Sequence, residues 1–105
     1  MSPTDDLKDD LAAAYPRLTR SDVERVVTLL AQAPAADRGA SIAAALQPVL
    51  PEAANRLEAL GADETTEYLR VLQGAATVTL QSWKDPAAPG PGIDQIRSFI
   101  DNVEG

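Results

Sequence analysis

Residues 63–84, DETTEYLRVLQGAATVTLQSWK, decide the fold. At 100° per residue, Val78, Val71, Ala75, Tyr68, Leu72, Trp83, Ala76, Leu69 and Leu80 fall on an arc of roughly 200°. Arg70, Gln73, Thr77, Gln81 and Lys84 share the narrow polar strip that is left. A helix apolar over more than half its circumference needs neighbours on several sides, so this segment reads as the central helix of a bundle. About 22 residues at 1.5 Å each span roughly 33 Å, the diameter of a small domain. Asp63, Glu64 and Glu67 lie in its first turns and Lys84 at its end, an order that complements the helix dipole.

Downstream, residues 85–92 read DPAAPGPG, too rich in proline and glycine for regular structure and stiff enough to act as a spacer. The chain then runs GIDQIRSFIDNVEG. Ile93, Ile96, Phe99, Ile100 and Val103 occupy about 120° of a helix, opposite Gln95, Ser98, Asp101 and Asn102. This amphipathic helix of about three turns must bury its face on its own domain, on a sister chain or in another protein's groove.

Upstream, Ile42, Leu46, Val49, Ala53, Leu57 and Leu60 keep helical phase through Ala40–Leu60, yet Pro48 and Pro51 interrupt it. Each proline removes an amide donor and disfavours a helical residue before it. The region therefore reads as a helix to about Gln47, a bend, and a second helix starting with Pro51 at its first position. Gly61 is expected to serve as its C-cap. Before this, LTRSDVERVVTLLAQAP is a helix with Thr19 or Ser21 as cap. Ser21 and Glu24 have capping-box spacing. The first helix, Asp5–Tyr15, shows only Leu7, Leu11 and Ala14 on its apolar side, is stopped by Pro16 and is expected to fray first.

Composition narrows the chemistry. The 105 residues suit one domain with one core. There is neither cysteine nor histidine, so disulfides, thiolate ligands, imidazole ligands and the usual general base are excluded. The net charge of −7 is unfavourable for direct contact with a nucleic-acid backbone. Both ends are acidic and the middle is near neutral. No run of 18 apolar residues suggests a membrane span, and MSPTDDLKDD does not resemble a signal peptide, so cytoplasmic residence is the default expectation.

Paired carboxylates, Asp6 with Asp10 and Asp63 with Glu67, share helix faces and suit a divalent cation or acid–base chemistry if a second set of ligands faces them. No facing set is visible in the sequence, and solvated acids that complement helix dipoles are the simpler reading. No serine has a histidine to activate it, and no phosphate-binding glycine loop is present. Two helices joined by a short turn over residues 23–47 have the outline of a helix-turn-helix. The second would offer only Arg38, Ser41 and Gln47 to bases, which leaves a plain hairpin the better reading. No family pattern matches at enough positions to name one.

The sequence thus predicts an all-α chain: a single small orthogonal or up-down bundle of five to six helices, with a proline-glycine linked C-terminal amphipathic helix. Residues 1–84 form the core, 85–92 the linker and 93–104 the terminal helix. The expected role is non-enzymatic protein–protein interaction, as an adaptor or small subunit, with no metal or cofactor. The partner is another protein or a sister chain. Candidate contact residues are Ile93, Ile96, Phe99, Ile100, Val103 and Trp83. A nucleic-acid-associated regulator acting through residues 23–47 is the alternative, and an enzyme using carboxylates the third reading.

Overall fold

The central segment forms the longest helix of the computed structural model, which describes residues 3–32, 38–85 and 87–104. Among these there are six α-helices and no strand, arranged as a small orthogonal/up-down bundle. They are α1 Pro3–Ala14, α2 Arg20–Gln32, α3 Arg38–Leu46, α4 Pro51–Ala59, α5 Ala62–Ser82 and α6 Ile93–Glu104, with a 3-10 turn, Tyr15–Arg17, after α1. The radius of gyration, 12.6 Å, is close to the ~13 Å expected of a folded domain this long.

Helix α5 is the hub. It packs against α1, α2, α3 and α6, and buries Thr65, Tyr68, Leu69, Val71, Leu72, Ala75, Ala76 and Thr79. Helix α4 precedes α5 in the chain yet packs chiefly on α1 and α3, forming an outer layer. Two of the buried α5 residues are threonines. Thr79 donates its hydroxyl to the Ala75 carbonyl at 2.8 Å, so the group enters the core already satisfied.

The helix ends follow local chemistry. Pro16 cannot continue α1, and the chain tightens into the 3-10 turn, closed by the Leu18 amide donating to the Tyr15 carbonyl at 3.0 Å. The α2 cap is Thr19: its hydroxyl accepts from the Asp22 amide at 3.2 Å, and the Asp22 carboxylate accepts from the Thr19 amide at 3.0 Å. This reciprocal pair sits two residues earlier than the Ser21–Glu24 spacing suggests. Ser21 lies inside the helix, and Glu24 is drawn to Arg20 one turn back.

Between α3 and α4 the bend is short. The Val49 and Leu50 amides both reach the Leu46 carbonyl, and Pro51 opens α4 at a position that needs no donor. Because the phase survives the bend, Ile42, Leu46, Ala53 and Leu57 all enter the core. Gly61 is not a left-handed C-cap: its φ is −72°, its backbone is extended, and it serves instead as the N-cap residue of α5.

Helix α1 departs most from expectation. It contacts α4, α5 and α6, with Leu7, Ala14 and Thr4 almost wholly buried. Its short apolar stripe understates its anchoring because Asp6 and Asp10 are buried too.

Truncating a side chain on the buried arc of α5 tests this arrangement. Leu72 is 1% exposed, so Leu72→Ala is expected to cost about 2–5 kcal/mol, lowering the urea midpoint with an unchanged slope. Leu80→Ala, on the half-buried margin of the same helix, is expected to cost clearly less.

Candidate functional site

Three places concentrate polar groups or exposed apolar surface. The first joins α1, α4 and α5. Asp10 accepts two hydrogen bonds from the Arg56 guanidinium, from Nε at 3.1 Å and Nη2 at 3.2 Å, and a third from the Tyr68 hydroxyl at 2.9 Å. Asp6, one turn earlier, lies 3.8 Å from Arg56 Nη1. The sequence reading left these acids in solvent, and the structure corrects it. Their shared face turns inward, and the group facing them is a guanidinium rather than a second ligand set. Arg56 offsets one of the two negative charges and occupies lone pairs of Asp10, part of the role a cation would take. Among the described residues, no group of three or more carboxylates, histidines or cysteines is placed to hold a metal ion.

Burial raises the pKa of Tyr68 first, and the adjacent Asp10 charge and hydrogen bond raise it further, so its hydroxyl stays protonated well into the alkaline range. Arg56 is held more firmly in its charged form, chiefly by hydrogen bonding to Asp10. Of the other sequence pair, Asp63 is exposed, while Glu67 pairs with Arg70 one turn on. For Glu52, burial favours the neutral acid, but hydrogen bonds from Arg17 and its own amide outweigh this and lower its pKa.

The second place is the seat of α6. Ile96 and Ile100 are fully buried against the body, and Ile93, Phe99 and Val103 pack on the core while remaining half-exposed. Trp83, just past α5, is buried and meets Tyr15 edge-on, with ring centroids 6.3 Å apart. Its indole N–H donates to the Ala88 carbonyl at 2.9 Å, and its own carbonyl accepts from Arg20 Nε at 2.6 Å. Ala88 and Gly90 therefore lie against Trp83, where the sequence suggested a stiff spacer.

Two glycines permit this close fit. A Cβ on Gly90 would lie 2.5 Å from the Tyr15 hydroxyl and 2.8 Å from the Trp83 ring. A Cβ on Gly74 of α5 would lie 2.7 Å from a Val103 methyl. The Tyr15 hydroxyl is buried and has no hydrogen-bond partner among the described residues.

The third place is the outer side of α2, where Ser21, Glu24, Arg25, Thr28 and Leu29 line a shallow groove of mixed charge. The side chains of Arg38 and Ser41, on which the helix-turn-helix reading relied, lie outside the described residues. A cavity of about 30 Å³ between α2, α5 and α6 is walled by apolar groups such as Val26, Leu72 and Ile96, and has room for little more than one water. No described helix is long and apolar enough to cross a membrane.

Sequence reasoning overlooked Thr65, Thr79, Arg56 and Gly74. The two threonines do fall within the apolar arc of α5 at 100° per residue, so their burial had a signal. The pairing of Arg56 with Asp10, 46 residues away, had none.

Comparison with protein-family models, with curated proteins and with solved structures yields no match for this chain.

The acid–guanidinium–phenol contact can be weighed by mutation. Tyr68→Phe removes a hydrogen bond to a charged group and is expected to cost about 1.5–3 kcal/mol. Deleting one partner of a fully buried pair costs about 3–5 kcal/mol, but Arg56 is 35% exposed, so Arg56→Leu is expected to lose about 2 kcal/mol. A double-mutant cycle should give clear coupling, since both act on Asp10.

The pH dependence has a definite sign. The folded pKa of Tyr68 is raised, so its contribution is complete below about pH 10, the value in the unfolded chain, and is lost as pH rises beyond it. Stability measured by urea titration from about pH 8 to 11.5 should fall at the alkaline end, and fall less steeply in Tyr68→Phe.

Proposed function

We propose that this chain is a non-enzymatic interaction module, an adaptor or small subunit that meets another protein or a sister chain through apolar helix faces. One observation supports the reading above the others: α6 leaves bulky apolar side chains partly in water on both margins of its buried stripe. Ile93 lies on one margin, with Phe99 and Val103 on the other. Such margins extend readily into an interface, where an aromatic anchor contributes most when fully desolvated. The acidic composition, with sixteen carboxylate residues against nine basic ones, favours a partner of neutral or basic character. The charged groups best placed for chemistry are engaged with one another, Asp10 with Arg56 and Tyr68, and Glu52 with Arg17. Cytoplasmic residence belongs to the same proposal.

The competing assignment is a nucleic-acid-associated regulator acting through residues 23–47, and a duplex titration at two salt concentrations separates the two. The interaction reading expects no binding tighter than roughly micromolar and no salt dependence. Micromolar or tighter binding that weakens as salt rises contradicts it.

A further inference from the structure

We propose that α6 is exchangeable between copies of this chain, leaving its own groove to occupy the same groove on a second copy while residues 87–92 open as the hinge. The inference rests on the reading of α6 as the interacting element, and it names the partner.

Every apolar contact that seats α6 is available on a second copy in identical form. Ile96 and Ile100 would be buried as completely in trans as in cis, and the Lys8–Asp101 ion pair between α1 and α6 would re-form between chains. Exchange therefore conserves the contacts and alters only the connection, which is why swapping a terminal element is a low-cost route to a dimer. The residues from Trp83 to Gly92 would span roughly 33 Å if extended, comparable to the 36 Å length of the whole molecule. The hinge is long enough to reach a neighbour.

What holds α6 at home is the fold of this linker over the Trp83 ring. Trp83 holds the Ala88 carbonyl through its indole N–H, and Gly90 lies against both the ring and the Tyr15 hydroxyl. That hydroxyl is buried without a partner among the described residues, so the closed loop keeps a donor from water that an open loop would release. The closed state thus carries a local penalty that exchange relieves.

The two glycines provide opposite tests. A methyl on Gly90 strains only the folded-back linker, at 2.5 Å from Tyr15 and 2.8 Å from Trp83. A methyl on Gly74 strains the seat itself, at 2.7 Å from Val103, whichever chain supplies the helix. Gly90→Ala should shift the monomer–dimer balance towards dimer by about tenfold or more, the scale of overpacking a close contact. Gly74→Ala should loosen α6 without that shift.

Sedimentation across a concentration series reads the balance, and a zero-length carbodiimide cross-link reads the exchange. Lys8 and Asp101 are in direct contact, so the reagent can join them. In an equal mixture of 14N- and 15N-labelled full-length chains, refolded together, an intramolecular link carries one label and an exchanged link can carry both. The expected result is a Gly90→Ala dimer whose Lys8–Asp101 link is mixed in about half of the molecules, the random-pairing share for a closed two-fold dimer. Wild type at millimolar concentration should show the same link at a lower level, a measurement that stands if Gly90→Ala fails to fold. A dimer with only single-label links, or no dimer in either protein, overturns the exchange. Neither result touches the broader interaction reading, which falls separately on salt-sensitive duplex binding.

Discussion

A single constraint organises this molecule: the apolar arc of α5 is too wide for one neighbour to cover. Removing apolar surface from water contributes about 25 cal/mol per Å², and a helix with more than half its girth apolar gains most of that only when surrounded. Helices α1, α2, α3 and α6 supply the cover. A helix covered from several directions needs connections that turn sharply, and the chain provides them at Pro16, at Pro48 with Pro51, and over Trp83. The order of elements follows from this demand, since the helices on both sides of α5 in the sequence must return to it.

Within that wrapping, Asp10, Arg56 and Tyr68 add selectivity more than energy. A buried ion pair gains little over a well-packed apolar replacement, because desolvating the charges offsets their attraction. Its geometry is nevertheless demanding: two guanidinium nitrogens and one phenol hydroxyl converge on one carboxylate from two other helices. An alternative packing of α1 or α4 strands at least one charge away from water. The pair therefore fixes how the outer helix α4, which makes few direct contacts with α5, sits relative to the core. We regard this register-setting role as the reason the acids of α1 are inside.

The legible and illegible parts of the sequence divide along the same physical line. Periodicity reports which side of a helix is apolar, and it placed the faces of α1, α3, α4, α5 and α6, including the survival of phase across two prolines. Local chemistry reports helix ends, although Thr19 with Asp22 competed with Ser21 and Glu24 for one cap, and geometry chose the former. The polar contact of Asp10 joins residues 46 and 58 positions away, and no local pattern encodes a partner at that distance. The glycines are similar. Gly74 and Gly90 have ordinary torsions, with no positive φ, and matter for what lies against them, Val103 and the Tyr15–Trp83 pair. For the candidate interaction surface, the sequence identified the five apolar residues of α6 and Trp83. It left open that Ile96, Ile100 and Trp83 are sealed while Ile93, Phe99 and Val103 form the margins.

The dependence of the other helices on α5 is tested most directly by native-state hydrogen exchange. Amides of Tyr68 to Ala76 should exchange only through global unfolding, with opening free energies equal to that from urea denaturation, and those of Asp10 to Ala14 should share this limit. Amides of α6 should open at lower free energy, since one terminal helix can detach without uncovering the rest. Should the Tyr68–Ala76 amides exchange through openings smaller than those of α2 or α4, the core would be organised around another helix, and the central role of α5 would be contradicted.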